Sequence, residues 1–169
     1  MAKIQVDNPA SSTSVLHYGE FYDTTTQTTG GTTTDNTVTF NTTDVASGIS
    51  VGTGANAGSI TVGYTGAYLL SIFANLFLNG GGGGTVFTLW YAVNGTPATN
   101  SAFQYTASTS GQYYNGAMED IALLNAGDVV TIHWHATTNT FPQLKALAAG
   151  TNPTRPAAPS IKLSIYNVG

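Results

Sequence analysis

Apolar and polar residues alternate along most of the chain from Val15 onward. In VLHYGEFYD, Val15, His17, Gly19 and Phe21 fall on one face and Leu16, Tyr18, Glu20 and Tyr22 on the other. A two-residue period rich in aromatics marks a strand. TVTF, GISVGT and SITV read as further short strands, the last two separated by the small-residue turn GANAG. GAYLLSIFANLFLN is a long strand: Tyr68, Leu70, Ile72, Ala74, Leu76 and Leu78 line one side, and Leu69, Ser71, Phe73, Asn75 and Phe77 the other. Clean alternation and glycine-rich flanks favour strand over helix here. Gly80 to Gly84 form a flexible connection to the return strand TVFTLWYAVNG, whose Asn94-Gly95 pair is a hairpin turn signal. SAFQYTAS and GQYYNGAMEDIALLNAGDVVTIHWHA supply three more strands, with NAGD (Asn125 to Asp128) as a tight turn. Thr137 to Ser160 reads as an irregular excursion stiffened by Pro153, Pro156 and Pro159, and IKLSIYNVG closes the chain as a strand. Met1 to Ser14 reads as an N-terminal arm, leaving 15–169 as one domain.

The threonine run TTTQTTGGTTTDN lies between two of these strands, so it reads as a loop with strand-forming ends rather than a tether. Short strands with a turn signal about every ten residues, and no helical period, predict an all-β sandwich or barrel. A sandwich strand needs one apolar face. Several strands here carry two. Tyr18, Tyr22, Phe73, Phe77, Tyr113 and Tyr166 all fall opposite the expected core face. In a jelly roll the first, the long middle, a late and the last strand can be neighbours in one sheet. A shared second apolar face predicts self-association, against the plainer reading of scattered surface aromatics.

Composition sharpens this picture. With 169 residues, 41% of them hydrophobic, the chain can bury one sizeable core. Only 7% are charged, so the polar surface is built from Thr, Ser, Asn, Gln and Gly. Neutral polar groups are far cheaper to desolvate than charges, which suits a protein held against copies of itself. A net charge of −4 and four basic residues make no phosphate-binding stripe, which excludes nucleic acid as an expected partner. There is no cysteine, so no disulfide frame and no thiolate metal site. The apolar run AYLLSIFANLFL is interrupted by Ser71 and Asn75 and too short to span a bilayer.

Certain stretches, YGEFYDTTTQT, FNTTDVASGISVG, SITVGYTGAYLLSIFANL, VNGT, LNAGDVVTIHW and LAAGTNPTRPAAPSIKLSIYNVG, resemble a group of short virion proteins of tailed phages and large aquatic viruses. The more specific parts are Tyr64, Gly66 and Tyr68, the NAGD turn, and AAGTNPTRPAAPS; NGGGGGTVFTLW departs from the pattern, in which many relatives carry charged residues. The resemblance implies a single jelly-roll β-sandwich of about ten strands, of the tumour-necrosis-factor and complement-globular-head type, assembled as a homotrimer about an axis lined by one sheet. It offers no catalytic motif.

Chemistry sought in the residues is thin. His133 and His135 share one face of a strand, a pair of zinc ligands lacking a third. Glu119 and Asp120 are adjacent on a strand and so point to opposite faces, which rules them out as an acid–base pair. Asp23, Asp35 and Asp44 are a sparse set for calcium. Asn41 and Asn94 match glycosylation acceptors but read as turn residues. No enzyme, metal or cofactor is expected.

Taken together, the chain reads as a structural virion protein: a trimeric cement or decoration protein on the capsid surface, with the major capsid protein as partner. Read as complete from Met1, it has no heptad shaft ahead of the strands, which favours decoration over a tail-fibre head. Lys3, Ile4 and Val6 in the arm, and Pro153 and Arg155 in the excursion, are the expected capsid contacts. The rival is a receptor- or glycan-binding head, with Trp90, Tyr91 or the Gly80 to Gly84 loop stacking on sugar.

Overall fold

A computed structural model describes residues 16–81, 83–138 and 141–168. In chain order the strands are β1 (Tyr18–Asp23), β2 (Gln27–Thr28), β3 (Asn36–Thr37), β4 (Thr42–Ser47), β5 (Ile49–Val51), β6 (Ile60–Val62), β7 (Gly66–Leu78) and β8 (Thr85–Val93). They continue as β9 (Thr96–Pro97), β10 (Phe103–Ala107), β11 (Tyr113–Leu124), β12 (Val129–Ala136), β13 (Pro142–Leu144), β14 (Gly150–Thr151), β15 (Thr154–Arg155) and β16 (Ile161–Asn167). The one helical turn among the described residues is a 3-10 turn at Gly54–Asn56. Eleven of the strands have three residues or more, close to the expected number.

Two antiparallel sheets form the sandwich. The first runs β2-β13-β7-β16-β1-β4, with β11 along the opposite edge of β7; the second runs β10-β8-β12-β6-β5, with β3 beside β12 and β9 beside β8. The long strand behaves as its alternation predicts: Tyr68, Leu70, Ile72, Leu76 and Leu78 are fully buried. Phe21, Leu163 and Ile165 join them from the first sheet, facing Phe87, Leu89, Ile132 and Trp134 from the second. Phe87 and Trp134 stack with centroids 6.3 Å apart. Tyr68 has a polar tip in this apolar layer and needs a partner. Its hydroxyl donates to the Tyr64 carbonyl at 2.8 Å, which locks the turn into β7.

The turns carry the residues their geometry demands. Asn94 and Gly95 both adopt positive φ (51° and 78°), as a two-residue hairpin requires. The NAGD turn is tied to this hairpin. Asp128 accepts the Asn125 backbone N–H at 2.7 Å and the Asn94 amide at 2.8 Å, and Asn94 accepts the Val129 N–H at 2.9 Å. The threonine run is a pinned loop. Asn36 accepts the Gly30 N–H at 2.8 Å and donates to the Trp134 carbonyl at 3.1 Å, while Gln27 and Thr28 pair with β13. Behind its first turn, Asp23 is 2% exposed and accepts from Thr25, Thr39 and Asn41.

One strand was not expected, and two expectations need correcting. Thr42–Ser47 forms an edge strand beside β1, where the sequence gives no alternating signal because almost all of it faces solvent. The Thr137 to Ser160 excursion is not irregular throughout: β13 pairs with β7 and β2, and β14 with β15. Tyr91 is not exposed; it is 4% accessible and faces the core. The N-terminal arm, with Lys3, Ile4 and Val6, lies outside the described residues.

β11 is paired on one side, with β7, and no strand lies along its other edge among the described residues. Tyr105 reaches that edge from the second sheet. Its hydroxyl donates to the Ala117 carbonyl and accepts the Ala117 N–H at 2.8 Å.

Candidate self-association surface

Cross-strand register places all the aromatic second-face residues on the outer side of the first sheet. Tyr18 lies beside Tyr166, Tyr166 beside Leu69, and Leu69 beside Ile121. The next outward row is Val45, Glu20, Ser164, Ser71 and Glu119. Below it Tyr22, Lys162, Phe73 and Ala117 follow in line. Asn75 faces Asn115, and Phe77 faces Tyr113 with ring centroids 4.6 Å apart. Lys145 sets its ammonium 5.6 Å from the centre of the Phe77 ring. A polar row thus runs between two apolar bands.

Phe73 is 51% exposed, Ile121 60% and Leu123 84%. Val45, Tyr18, Tyr113 and Tyr166 are exposed too. Single apolar residues on a surface are ordinary, but a contiguous group on one sheet face marks an interaction site. Leu69 falls on this face as its alternation predicts, whereas Ile121, Leu123 and Val45 are not among the residues expected there. For Ile121 and Leu123 the signal was present: in MEDIALL they alternate with buried Met118, Ala122 and Leu124.

The charges on this face are mostly neutralised locally. Lys162 meets Glu20 at 2.6 Å, and Ser164 donates to the other Glu20 oxygen at 3.2 Å. The hydrogen bond from Lys162 holds the Glu20 carboxyl below its usual range, against the opposing effect of partial burial. Ser71 donates to Glu119 at 2.9 Å. Two hollows flank Lys162. One of about 410 Å³ lies between Phe73, Asn115 and Pro159, and one of about 470 Å³ between Tyr22, Asp44 and Pro156.

The remaining candidates are dispersed. His133 and His135 do share a face, but each is engaged by the threonine loop: His133 Nδ1 lies 2.6 Å from Asp35, with Thr131 of β12 at its Nε2, and His135 Nε2 lies 3.0 Å from the Thr32 carbonyl. Asp23 sits in its hydrogen-bonded knot and Asp35 at His133, while Asp44 belongs to β4 and borders the second hollow, so the three aspartates make no common site. No group of three or more metal-binding side chains occurs among the described residues. Glu119 points outward, whereas Asp120 accepts from the buried Tyr91 hydroxyl at 3.1 Å. Burial, then Asp120, pushes that tyrosine up to about 12. Asn41 and Asn94 serve turns, Asn41 by accepting the Thr24 N–H at 3.1 Å. Pro153 and Arg155 are exposed on the segment carrying β14 and β15.

No family model matches the chain, and no curated protein matches it in sequence. Solved structures do. Crystal structures of murine APRIL at pH 8.0 and pH 8.5 superpose with TM-scores of 0.58 and 0.56 at 12% identity. A third, at pH 5.0, does so with a TM-score of 0.56 at 13% identity. Each comparison covers 91% of this chain and 100% of the other. At such identity the likeness concerns the fold alone: an antiparallel β-sandwich of the tumour-necrosis-factor type.

Proposed function

We propose that the protein is a structural component of a virion that works as a homotrimer, most concretely a decoration protein that reinforces a capsid. The observation that carries the reading is the exposed outer face of the first sheet, where Tyr18, Leu69, Ile121, Leu123 and Tyr166 form one apolar band and Phe73 lies in a second, across the polar row. Burying one large apolar side chain is worth roughly 1.5–3 kcal/mol, so a few of them repeated by symmetry suffice for a permanent assembly. A threefold arrangement closes a heterologous contact and leaves no sticky end. The virion setting rests on the sequence resemblance.

The mechanism is mechanical. Three first sheets face the axis and three second sheets face outward. The β14–β15 segment, with Pro153 and Arg155 exposed, together with the arm bearing Lys3, Ile4 and Val6, seats the trimer on the shell and bridges neighbouring capsid subunits. Imaging of labelled protein on intact particles tests this. Signal spread over the capsid supports it; signal confined to tails replaces decoration with the fibre-head alternative.

A further inference from the structure

The outer face of the second sheet differs from that of the first, and one place on it is built as a binding site. Trp90 on β8 is half-buried and lies parallel to His133, its cross-strand neighbour on β12, with centroids 5.5 Å apart and planes 17° from parallel. The imidazole is held at both nitrogens: Nδ1 by Asp35 at 2.6 Å and Nε2 by Thr131 at 2.8 Å. One side of the indole is therefore braced by a ring that cannot turn. Beside the indole lies an open hollow of about 360 Å³, bordered by Asp35, Pro97, Ala98, Asn100 and Ala102.

The far rim of that hollow is also fixed. Ser101 is 1% exposed; its hydroxyl donates to the Ala98 carbonyl at 2.9 Å and accepts the Tyr91 N–H at 3.4 Å, which staples the loop to β8. The Ala98 N–H adds a bond to the Tyr91 carbonyl at 3.0 Å. Asn100 is consequently displayed with φ of 64°, in the left-handed region where asparagine is enriched and where local strain often accompanies ligand contact. Its amide makes no side-chain hydrogen bond among the described residues. The Asp35 side chain is 56% exposed and uses Oδ1 on His133, with no hydrogen bond to Oδ2 among the described residues.

We infer that the Trp90 hollow binds a neutral saccharide. The indole offers a flat apolar platform for the C–H face of a pyranose ring, and a preorganised platform loses little freedom on binding. The Asn100 amide and the free Asp35 oxygen provide donors and acceptors for ring hydroxyls. The volume lies at the lower end of ligand pockets and matches one or two sugar rings. The lining has one carboxylate and no lysine or arginine, which disfavours phosphate, sulfate and acidic sugars. The site lies on the sheet opposite the apolar face, so it holds whether or not that face closes a trimer.

Trp134 is 1% exposed, so changes in tryptophan emission on ligand addition report Trp90. The intact protein is titrated with chitotriose, lactose, maltotriose and mannotriose up to about 10 mM, with sialyllactose and inorganic phosphate as acidic comparisons. At least one neutral probe is expected to give a saturable change. Trp90→Ala removes the reporter, so its binding is read by calorimetry and should be about tenfold weaker or more. Asn100→Gly, which keeps the left-handed backbone while removing the amide, should weaken it about threefold, read by calorimetry. Absence of saturation with all four neutral probes overturns the inference, as does wild-type affinity in both variants or a preference for the acidic ligands.

Discussion

Phe73→Glu places a carboxylate in the middle of the exposed face of the first sheet, between Lys162 and Ala117 in the cross-strand row. A phenylalanine carries roughly 200 Å² of surface, and Phe73 is 51% exposed, so about 100 Å² remains for a partner to cover. At about 25 cal/mol per Å² that covering contributes about 2.5 kcal/mol per copy and about 7.5 kcal/mol per trimer. Losing it lowers the trimer association constant by about 5.5 orders of magnitude, and since that constant scales with the square of concentration, the midpoint rises about five-hundredfold. The buried carboxylate adds several kcal/mol more per copy. The isolated subunit should tolerate the change, because the site faces solvent and Lys162 offers a cation next to it. Sedimentation velocity at micromolar concentration should show a trimer for the wild type and a folded monomer for the variant, with unchanged circular dichroism. A variant that sediments with the wild type removes Phe73 from any seam. A wild-type monomer at that concentration refutes the whole argument from the apolar face.

Three further outcomes are expected. Asp23→Ala leaves the Thr25, Thr39 and Asn41 donors without their buried acceptor and should cost about 2–4 kcal/mol, seen as a lower urea midpoint with unchanged slope. Asp128 is held below its usual range, first by the Asn125 backbone N–H and then by the Asn94 amide. A depressed folded value means that its contribution is complete above the ordinary aspartate range and is lost as pH falls through the folded one. Asp128→Asn should therefore flatten the stability curve in acid, below about pH 4, in urea titrations against pH. Assembly should be nearly insensitive to ionic strength, because the one lysine–carboxylate pair on the face among the described residues is intramolecular; a trimer lost between about 50 and 500 mM salt would contradict that.

What the sequence revealed followed hydrophobic period. β7 buries one complete alternating set, so its inner and outer residues were legible from spacing. β4 was not, because TTDVAS is an edge strand with almost no buried side chain, and a pattern read from burial has nothing to detect there. Trp90 and Tyr91 are consecutive on a strand and must point to opposite faces, so both could not stack on a ligand; Tyr91 went to the core. On β11 the inner set at this end is Asp120, Ala122 and Leu124, a mixed set that gives weak contrast with outward Ile121 and Leu123, so hydrophobicity alone does not tell the two faces apart. Asp35 and Thr32 meet His133 and His135 across about a hundred residues of chain, a pairing that only the closed sandwich creates.

The hydroxyl of Tyr105 on Ala117 also bears on how copies avoid one another. β11 offers twelve residues along an open border, the kind of template on which a newly made chain can add a stray strand. With both main-chain groups of Ala117 already occupied, an incoming strand cannot zip along the whole length. The tyrosine thus acts as a latch on an otherwise open border, breaking the run of main-chain groups on which strands could stack without limit.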